Sequence, residues 1–449
     1  MCGCAIADEL GAIAIRDAKI VTVSGAALNK GTVVIRKGLI EAVGENVQIP
    51  SDAWIVDGAG LTVYPGLIDP LSTVGIPGAA PTQATGGRGG GRGQIETPTP
   101  PAATTPTSAP ARGPEDRPNT TSWVLAADEI QTTDPRIETV RSAGYTTTVT
   151  YPERGIFAGQ GSIIDLAATE HSGEMVVMPA VGQYISLARA PGAGFGSFPS
   201  SLMGYIGYLR QIYLDADHYQ LAKEAYARDP RSVARPAYDR ALEGVLASKR
   251  ILLPANRVVE MDRMLRLAAE LKQPAILYGM REGYRPEAAA LLKKFTAPVL
   301  VSLKWSEAPK DPDPEADQTL RSLQNIDQGP ATPALLHKAG VTFALYADGI
   351  DQRRDLVKAV RKALEAGLAR EDAIRAMTLT PAEMYGVADR LGSVEKGKIA
   401  NLVVTKGELF DTNTHVEMIF VDGKQYKPAP EPPPGGGHGQ ASEEPGVIQ

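Results

Sequence analysis

Charged side chains follow three predicted strands, at the position where barrel enzymes carry catalytic groups. Asp69 ends the apolar stretch 61–69, and Asp348 follows the apolar run 343–347. Lys304 comes at the end of a third run, 298–303. Two ionisable groups with separated pKa values in one pocket can act as general acid and general base. We therefore predict Asp69, Asp348 and Lys304 as candidate catalytic residues of a metal-free site. A salt-bridged cluster without catalytic activity is the alternative.

A metal-dependent hydrolytic site instead requires three or more His, Asp or Glu ligands around one point. The chain has five histidines, and none are spaced as His-x-His or His-x-x-x-His. His218 follows Asp215 by three residues on a predicted helix, which suits either a metal pair or an ordinary solvated helix face. His171 is predicted in a polar turn, and His337 near a helix C-terminus.

The elements that would position these residues alternate between strands and helices. Apolar periodicity predicts helices over 257–272 and 355–366, and a long helical connection over 201–248. Eight apolar segments bounded by turn residues are predicted as strands: 61–69, 144–151, 161–166, 175–181, 250–255, 274–278, 298–303 and 341–347. The pattern predicts an α/β fold with a (β/α)8 TIM-like barrel.

Both chain ends carry short alternating segments typical of antiparallel sheet. Such segments occur between residues 12 and 57, and again at 399–404 and 416–421. We therefore expect a composite β-sandwich domain of residues 1–64 plus 386–427, with the barrel over 65–385.

Two stretches lack the composition of a packed core. Residues 76–120 are dominated by Gly, Pro and Thr, and the tail 428–449 is rich in Pro and Gly. Neither can bury enough apolar surface to offset chain entropy, so both are predicted to be disordered. The insertion follows the first barrel strand and would hang over the end of the barrel.

Composition excludes several classes of protein. The chain has 449 residues, 46 basic and 52 acidic side chains and a net charge of −6. This balance gives no reason to expect nucleic acid or an anionic membrane as a partner, and no stretch reaches the roughly 18 apolar residues of a membrane span. As written, the chain is expected to be cytoplasmic. The opening Met-Cys-Gly-Cys leaves an exported protein with a missing signal segment as the alternative.

Two motifs resemble the amidohydrolase superfamily of imidazolonepropionase- and dihydroorotase-like metal-dependent hydrolases. Residues 65–69, Pro-Gly-Leu-Ile-Asp, resemble the first barrel strand of that family. Residues 391–404, Leu-Gly-Ser-Val-Glu-Lys-Gly-Lys-Ile-Ala-Asn-Leu-Val-Val, resemble its closing segment, with Asn401 where the family usually has Asp. The resemblance covers roughly residues 10–75 and 250–425.

The resemblance implies a set of metal-ligand positions, most of which are filled by other residues. The first strand of the family continues as x-His-x-His, and here those histidine positions hold Leu71 and Thr73. Pro254 falls on the histidine position of the fifth strand and Gly279 on that of the sixth. Asp348 matches the aspartate of the eighth strand and is the only retained ligand position. We therefore expect no cofactor, with zinc or another divalent metal only if the site is rebuilt from other residues.

The family resemblance implies ancestral hydrolysis of a carbon–nitrogen bond in a cyclic amide or small peptide-like substrate. The lost histidines favour a chain with a lost or much altered metal centre. The alternative is a non-catalytic binding or scaffolding subunit that partners an active amidohydrolase relative. A small-molecule ligand at the barrel mouth and a homo- or hetero-oligomer are expected in either case.

Overall fold

The structure is a computed structural model that describes residues 11–76, 117, 119–187, 199, 201–308 and 317–429. Most of the insertion 76–120 and of the tail 428–449 lies outside the described residues. The strands and helices divide into three groups. The strands of the first sheet are β1 (Ala12–Ile20), β2 (Leu28–Arg36), β3 (Leu39–Gly44), β4 (Ala53–Asp57), β5 (Thr62–Pro65), β14 (Leu402–Lys406), β15 (His415–Val421) and β16 (Lys424–Tyr426).

The second sheet and the helices make up the rest. The strands are β6 (Leu67–Ser72), β7 (Tyr145–Thr150), β8 (Phe157–Asp165), β9 (Val176–Ile185), β10 (Ile251–Ala255), β11 (Ala275–Gly279), β12 (Val299–Ser302) and β13 (Phe343–Tyr346). The helices are α1 (Ala126–Glu129), α2 (Pro135–Ser142), α3 (Leu202–Arg228), α4 (Arg240–Ala247), α5 (Val258–Glu270), α6 (Pro286–Phe295), α7 (Leu320–Gln328), α8 (Thr332–Lys338), α9 (Gln352–Glu365), α10 (Arg370–Ala376) and α11 (Leu379–Tyr385).

The second sheet is a nearly closed barrel. Its strands pair in chain order from β6 to β13, and β13 packs against β6 to close the circle. One apolar cluster fills the interior, with Ile68, Leu252 and Leu300 among its members. A larger cluster lies between the strands and the surrounding helices. The predicted TIM-like barrel with eight strands is confirmed.

Strand β8 departs from the parallel arrangement of the other barrel strands. It pairs antiparallel with β7 and with β9, whereas the pairs from β9 to β13 are all parallel. The reason is the length of the connections. A parallel crossover requires a dozen or more residues and usually a helix, but residues 151–156 are all that joins β7 to β8. The chain therefore turns back as a hairpin.

The two chain ends share one sheet beside the barrel. Its strand order is β16-β15-β14-β5-β1-β2-β3, and β4 pairs with the first half of β1. Residues from both ends pack into one buried cluster, including Ile15, Val63, Leu402 and Phe420. As predicted, both chain ends contribute strands to the domain beside the barrel. These strands form one continuous hydrogen-bonded sheet.

The predicted strand 61–69 is wrong, because two strands of different sheets occupy it. Strand β5 ends at Pro65 in the chain-end sheet and β6 begins at Leu67 in the barrel. Gly66 makes the crossing possible, since a Cβ atom there would lie 2.0 Å from Oγ1 of Thr146. Asp69 consequently lies inside β6 and not at its carboxyl end.

Two further features concern the helices around the barrel. The predicted helical run 201–248 consists of α3 and α4, joined by residues 229–239. In α9 the side chain of Asp351 accepts hydrogen bonds from the backbone N–H groups of Arg353 and Arg354, which fixes the start of the helix directly after Asp348. None of the helices in the described ranges has the length and apolarity needed to cross a membrane.

Candidate functional site

Asp69 is a buried carboxyl group that links the first and last barrel strands. Its Oδ1 accepts hydrogen bonds from the backbone N–H groups of Ala347 at 3.3 Å and Leu71 at 3.5 Å. Its Oδ2 accepts from Nε2 of Gln352, at the start of α9, at 3.3 Å. Burial raises the pKa of Asp69 to about 8, and the charge of Asp348 adds to the rise. Asp69 is therefore mostly protonated at neutral pH.

Asp348 lies next to this group, at the end of β13, and is half-buried. Burial raises the pKa of Asp348, while the charges of Lys304 and Arg136 lower it. Glu153, half-buried after β7, has a pKa raised to about 7 by burial and by the charge of Asp348. Within the described ranges, no side chain hydrogen-bonds to the carboxylate of either residue. The barrel mouth thus holds two carboxylates without a side-chain partner.

Lys304 reaches the same mouth from the exposed rim. A Cβ atom on Gly349 would lie 3.1 Å from Cδ and 3.4 Å from Nζ of Lys304, so the lysine stem crosses the backbone beside Asp348. The structure therefore brings Asp69, Asp348 and Lys304 to one end of the barrel. Two further charged residues follow β7: the charge of Asp348 acts on Glu153, and Arg154 is exposed.

Arg136 of α2 is a site residue that the sequence reasoning missed. Its guanidinium group donates to Oγ1 of Thr73 at 3.0 Å, to the Thr73 carbonyl oxygen at 2.9 Å and to the Ile76 carbonyl oxygen at 2.7 Å. It also pairs with Asp134, the N-cap residue of α2. Arg136 therefore fixes the segment that follows β6 and places a positive charge near Asp348.

Tyrosines line the mouth around these charges, and they too were missed. The ring centroids of Tyr151 and Tyr184 are 5.4 Å apart, as are those of Tyr184 and Tyr278. Tyr346 lies two residues before Asp348 and hydrogen-bonds with Ser302. Burial, with the charge of Asp348 as a smaller cause, raises the pKa of Tyr184 to about 12. These tyrosines could have been predicted from the alternation of inward- and outward-facing side chains along each barrel strand.

Three of the four positions that the resemblance assigns to histidines, Leu71, Thr73 and Gly279, are packed against other residues, and the fourth, Pro254, is half-buried in β10. Leu71 packs in the apolar interior cluster, and Thr73 is held by Arg136. Gly279 has φ of 111°, and a Cβ atom there would lie 2.6 Å from Oδ1 of Asn256. At the sixth strand the side chains of Ile276 and Tyr278 pack with the interior cluster.

A family-type metal centre does not fit this set of side chains. Aliphatic side chains, a hydroxyl group and a glycine stand where a divalent metal would need imidazole nitrogens or carboxylates. Among the described residues, no group of three or more His, Cys, Asp and Glu side chains is arranged to hold a metal ion. Asp348 alone cannot do so.

The four described histidines are all exposed. His171, His218 and His415 are exposed, and His337 Nε2 lies 3.4 Å from Oδ2 of Asp372 on α10. Asp215, the predicted companion of His218, forms an ion pair with Arg117 at 3.1 Å. The structure therefore favours the solvated helix face for His218.

Known proteins resemble the chain in sequence and in fold. The sequence profile described as "Amidohydrolase family" matches residues 317–428. An amidohydrolase of Hapsidospora irregularis is 21% identical over 424 residues, which are 88% of this chain and 39% of the fungal protein. An N-acetylglucosamine-6-phosphate deacetylase of Haemophilus influenzae is 43% identical over 70 residues, which are 15% of this chain and 17% of that enzyme. The chain thus spans well under two thirds of either relative.

A solved structure matches almost the whole chain. The amidohydrolase from Thermotoga maritima MSB8 superposes with a TM-score of 0.72 and 25% sequence identity, over 92% of this chain and 100% of the other. The match includes both the barrel and the sheet built from the chain ends. The fold, the profile match and the two terminal motifs therefore all resemble those of the amidohydrolase superfamily.

Proposed function

We propose that this chain is a ligand-binding member of the superfamily that does not perform the metal-dependent hydrolysis of the family. Its barrel mouth takes a small polar molecule, and the chain works beside a catalytic amidohydrolase. Hydrolysis of a carbon–nitrogen bond in a cyclic amide or small peptide-like compound is, in this proposal, the ancestral activity.

The observation that carries the proposal is the chemistry at the family's ligand positions. Arg136 covers Thr73, Leu71 is part of the apolar interior, and Asn256 occupies the space beside Gly279. Restoring a histidine at any one of these positions would therefore not rebuild a site. By contrast, the mouth retains charged groups without side-chain partners, Asp348 and Glu153. Concave sites with a few polar groups among aromatic side chains are typical of ligand binding.

The length of the fungal relative supports the idea of a catalytic partner. That protein continues well beyond the region that matches this chain, which is 39% of its length. A module of this type therefore occurs joined to further protein. Co-expression with amidohydrolases from the same genome, followed by size-exclusion chromatography, tests the pairing. If each of them elutes separately from this chain, the partner proposal is wrong.

The ligand-binding proposal is tested with the purified chain and two matched variants, Asp348→Asn and Asp217→Asn. Asp217 is exposed on α3, so its substitution controls for the loss of one carboxylate. A thermal-shift screen of small polar molecules is followed by calorimetry on all three proteins. Elemental analysis after incubation with zinc and manganese measures the bound metal, and a panel of cyclic amides and dipeptides measures hydrolysis.

We expect at least one molecule that binds to the wild type and to Asp217→Asn but not to Asp348→Asn, without hydrolysis of the panel. Near-stoichiometric metal that disappears in Asp348→Asn, together with hydrolysis, would contradict the proposal. So would a screen in which no binding depends on Asp348.

A second candidate function is metal-independent hydrolysis, which one contact favours. Asp69 accepts a hydrogen bond from the N–H group of Ala347, directly before Asp348, so two carboxyl groups whose pKa values are raised by burial lie side by side. Such a pair can serve as acid and base. Hydrolysis that resists chelators and is lost in both Asp69→Asn and Asp348→Asn would establish this candidate. Unchanged turnover in Asp348→Asn would eliminate it.

A further inference from the structure

We infer that helix α3 is the contact surface between two copies of this chain. In the pair, the two α3 helices lie antiparallel, related by a two-fold axis at Leu214. Leu221 of each copy packs on Gly207 of the other, and Arg210 of each copy forms an ion pair with Asp217 of the other. The inference does not depend on ligand binding at the barrel mouth, because α3 packs on the outer side of the barrel.

The outward face of α3 carries exposed leucines. Leu214 and Leu221 are 62% and 61% exposed, and because they are seven residues apart they lie on one line along the helix. The opposite face is already packed, since Tyr208, Leu209 and Ile212 are buried in the cluster between the strands and the helices. Leucines in line at this spacing on a free helix face are typical of helix pairing.

Gly207 lies on the same line, seven residues before Leu214, inside the helix. A glycine at such a position weakens a helix relative to alanine. Among the described residues, nothing lies within 4 Å of the place that its Cβ atom would occupy, so no contact of this helix within the chain explains a glycine. A second helix that approaches closely at this point does explain it, because a side chain would hold the two backbones apart.

An antiparallel arrangement about Leu214 makes this line self-complementary. Residues equally far on either side of the two-fold axis then face each other. Gly207 and Leu221 are each seven residues from the axis, so the leucine of one copy fills the space over the glycine of the other. A parallel pair would instead place the two glycines opposite each other and leave a gap.

The polar residues beside the line agree with this arrangement. Arg210 and Asp217 lie on the same edge of the face, four residues before and three residues after the axis, so each arginine meets the aspartate of the other copy. On the other edge Gln211 meets His218, and no two like charges are opposed along this stretch. Arg210 already contacts Glu270 of α5 at 2.7 Å and is still 47% exposed, so it can bind a second carboxylate.

A second copy suits this face better than the insertion of the same chain does. Residues 77–116 contain one branched aliphatic side chain, Ile95, and no aromatic side chain. The insertion therefore offers little surface to pack on two leucines, whereas a second copy offers two leucines and a glycine in matching places.

Sedimentation velocity of the full chain over a concentration series measures the pairing. We expect a monomer–dimer equilibrium in the wild type, which Leu214→Glu should weaken at least about tenfold. Leu320→Glu is the matched control, because Leu320 is 71% exposed on α7 and lies outside the proposed contact. If the wild type is monomeric throughout the series, or if Leu214→Glu pairs as tightly as Leu320→Glu, the inference is wrong.

A charge exchange tests the antiparallel register. Arg210→Glu and Asp217→Arg should each weaken the dimer, and the double variant should pair more tightly than either single variant. The two positions are about two helical turns apart within one copy, so such a recovery requires contact between copies. A double variant that pairs as weakly as the single variants would contradict the proposed arrangement.

A single cysteine at the two-fold axis gives an independent test. In a chain with Cys2→Ser and Cys4→Ser, a short bis-maleimide should crosslink Leu214→Cys to a covalent dimer and leave Leu320→Cys monomeric. Equal crosslinking of the two variants would place the contact elsewhere and overturn the inference. Asp217→Asn removes one contact of the pair and leaves the residues of the mouth unchanged, so it still serves as the control for ligand binding.

Discussion

At the scale of single residues, Asp165 is a buried carboxyl group whose side-chain hydrogen bonds come from neutral groups. It lies at the end of β8, and its Oδ1 accepts hydrogen bonds from Oγ1 of Thr147 at 2.7 Å and from Nδ2 of Asn401 at 2.9 Å. Burial nonetheless raises the pKa of Asp165 to about 7. The folded chain therefore binds a proton here over a pH range in which the unfolded chain does not.

This difference predicts a pH dependence of stability. Because the pKa of Asp165 is higher in the folded than in the unfolded state, its contribution to stability is lost as pH rises from about 4 to about 7. An Asn at this position can still accept both hydrogen bonds and does not titrate. Between pH 5 and pH 8, Asp165→Asn should therefore lose less unfolding free energy than the wild type, by roughly 2–3 kcal/mol.

Urea unfolding of both proteins at the two pH values measures the effect. Equal losses of stability in the wild type and the variant would show that Asp165 is already ionised in the folded state at pH 5.

At the scale of elements, α7 stands out because it buries none of its residues. Polar contacts hold it instead: Arg285 donates to Gln324 at 3.1 Å, Tyr284 donates to Asn325 at 3.0 Å, and Arg321 pairs with the buried Glu282 at 3.1 Å. The side chains of Leu320 and Leu323 are 71% and 48% exposed. Helices in proteins are stabilised mainly by packing of an apolar face, and α7 lacks that contribution.

We therefore expect α7 to open locally more readily than its neighbours. Amide hydrogen exchange followed by mass spectrometry should be at least about tenfold faster in 320–328 than in α5, which buries Met261, Met264 and Leu265. The comparison with α5 controls for pH and temperature. Exchange in α7 as slow as in α5 would mean that the polar contacts suffice to hold the helix.

The elements also show what the sequence could and could not reveal. Seven of the eight barrel strands were predicted near their observed positions, because buried strands are continuous apolar runs between turn residues. The pattern does not encode direction, so the reversal of β8 was missed. Stretch 61–69 was taken as one strand, because β5 and β6 are both fully buried and only Gly66 separates them.

The site was predicted in part for a similar reason. Asp69, Asp348 and Lys304 follow or lie in recognisable strands, and the structure brings them to one end of the barrel. Arg136 reaches Thr73 across 63 residues of sequence, a contact that no local pattern contains. The roles of these residues remain predictions.

At the scale of the whole molecule, Asn401 joins the chain-end sheet to the barrel. Its side chain donates to Thr147 at 3.0 Å and to Asp165 at 2.9 Å, and it accepts from the N–H group of Asp422 at 2.7 Å. The backbone carbonyl oxygen of Asn401 accepts a hydrogen bond from the N–H group of Gly66 at 2.8 Å. The amide is suited to this place because it offers a donor to Asp165 and an acceptor to the sheet.

Replacing Asn401 by Asp, the residue that the family motif has here, should therefore destabilise the fold. Two carboxylates would face each other in a buried site, at a cost of roughly 3–5 kcal/mol at pH 8 and less at pH 5. The exchanged pair Asp165→Asn with Asn401→Asp should recover most of this loss. Thermal and urea unfolding of the two single variants and the double variant give the coupling. Additive effects would show that the two residues do not act as a pair.

The shared sheet also determines when the chain can finish folding during its synthesis. Tyr64 donates to Glu408 at 2.9 Å across 344 residues of sequence, and β5 pairs with β14 over Thr62–Pro65. Until the ribosome has released β14, one edge of β5 has no partner strand, although the whole barrel has already emerged. An unpaired apolar edge is a template for aggregation. Chains stalled or truncated before residue 402 should consequently be the species most dependent on chaperones.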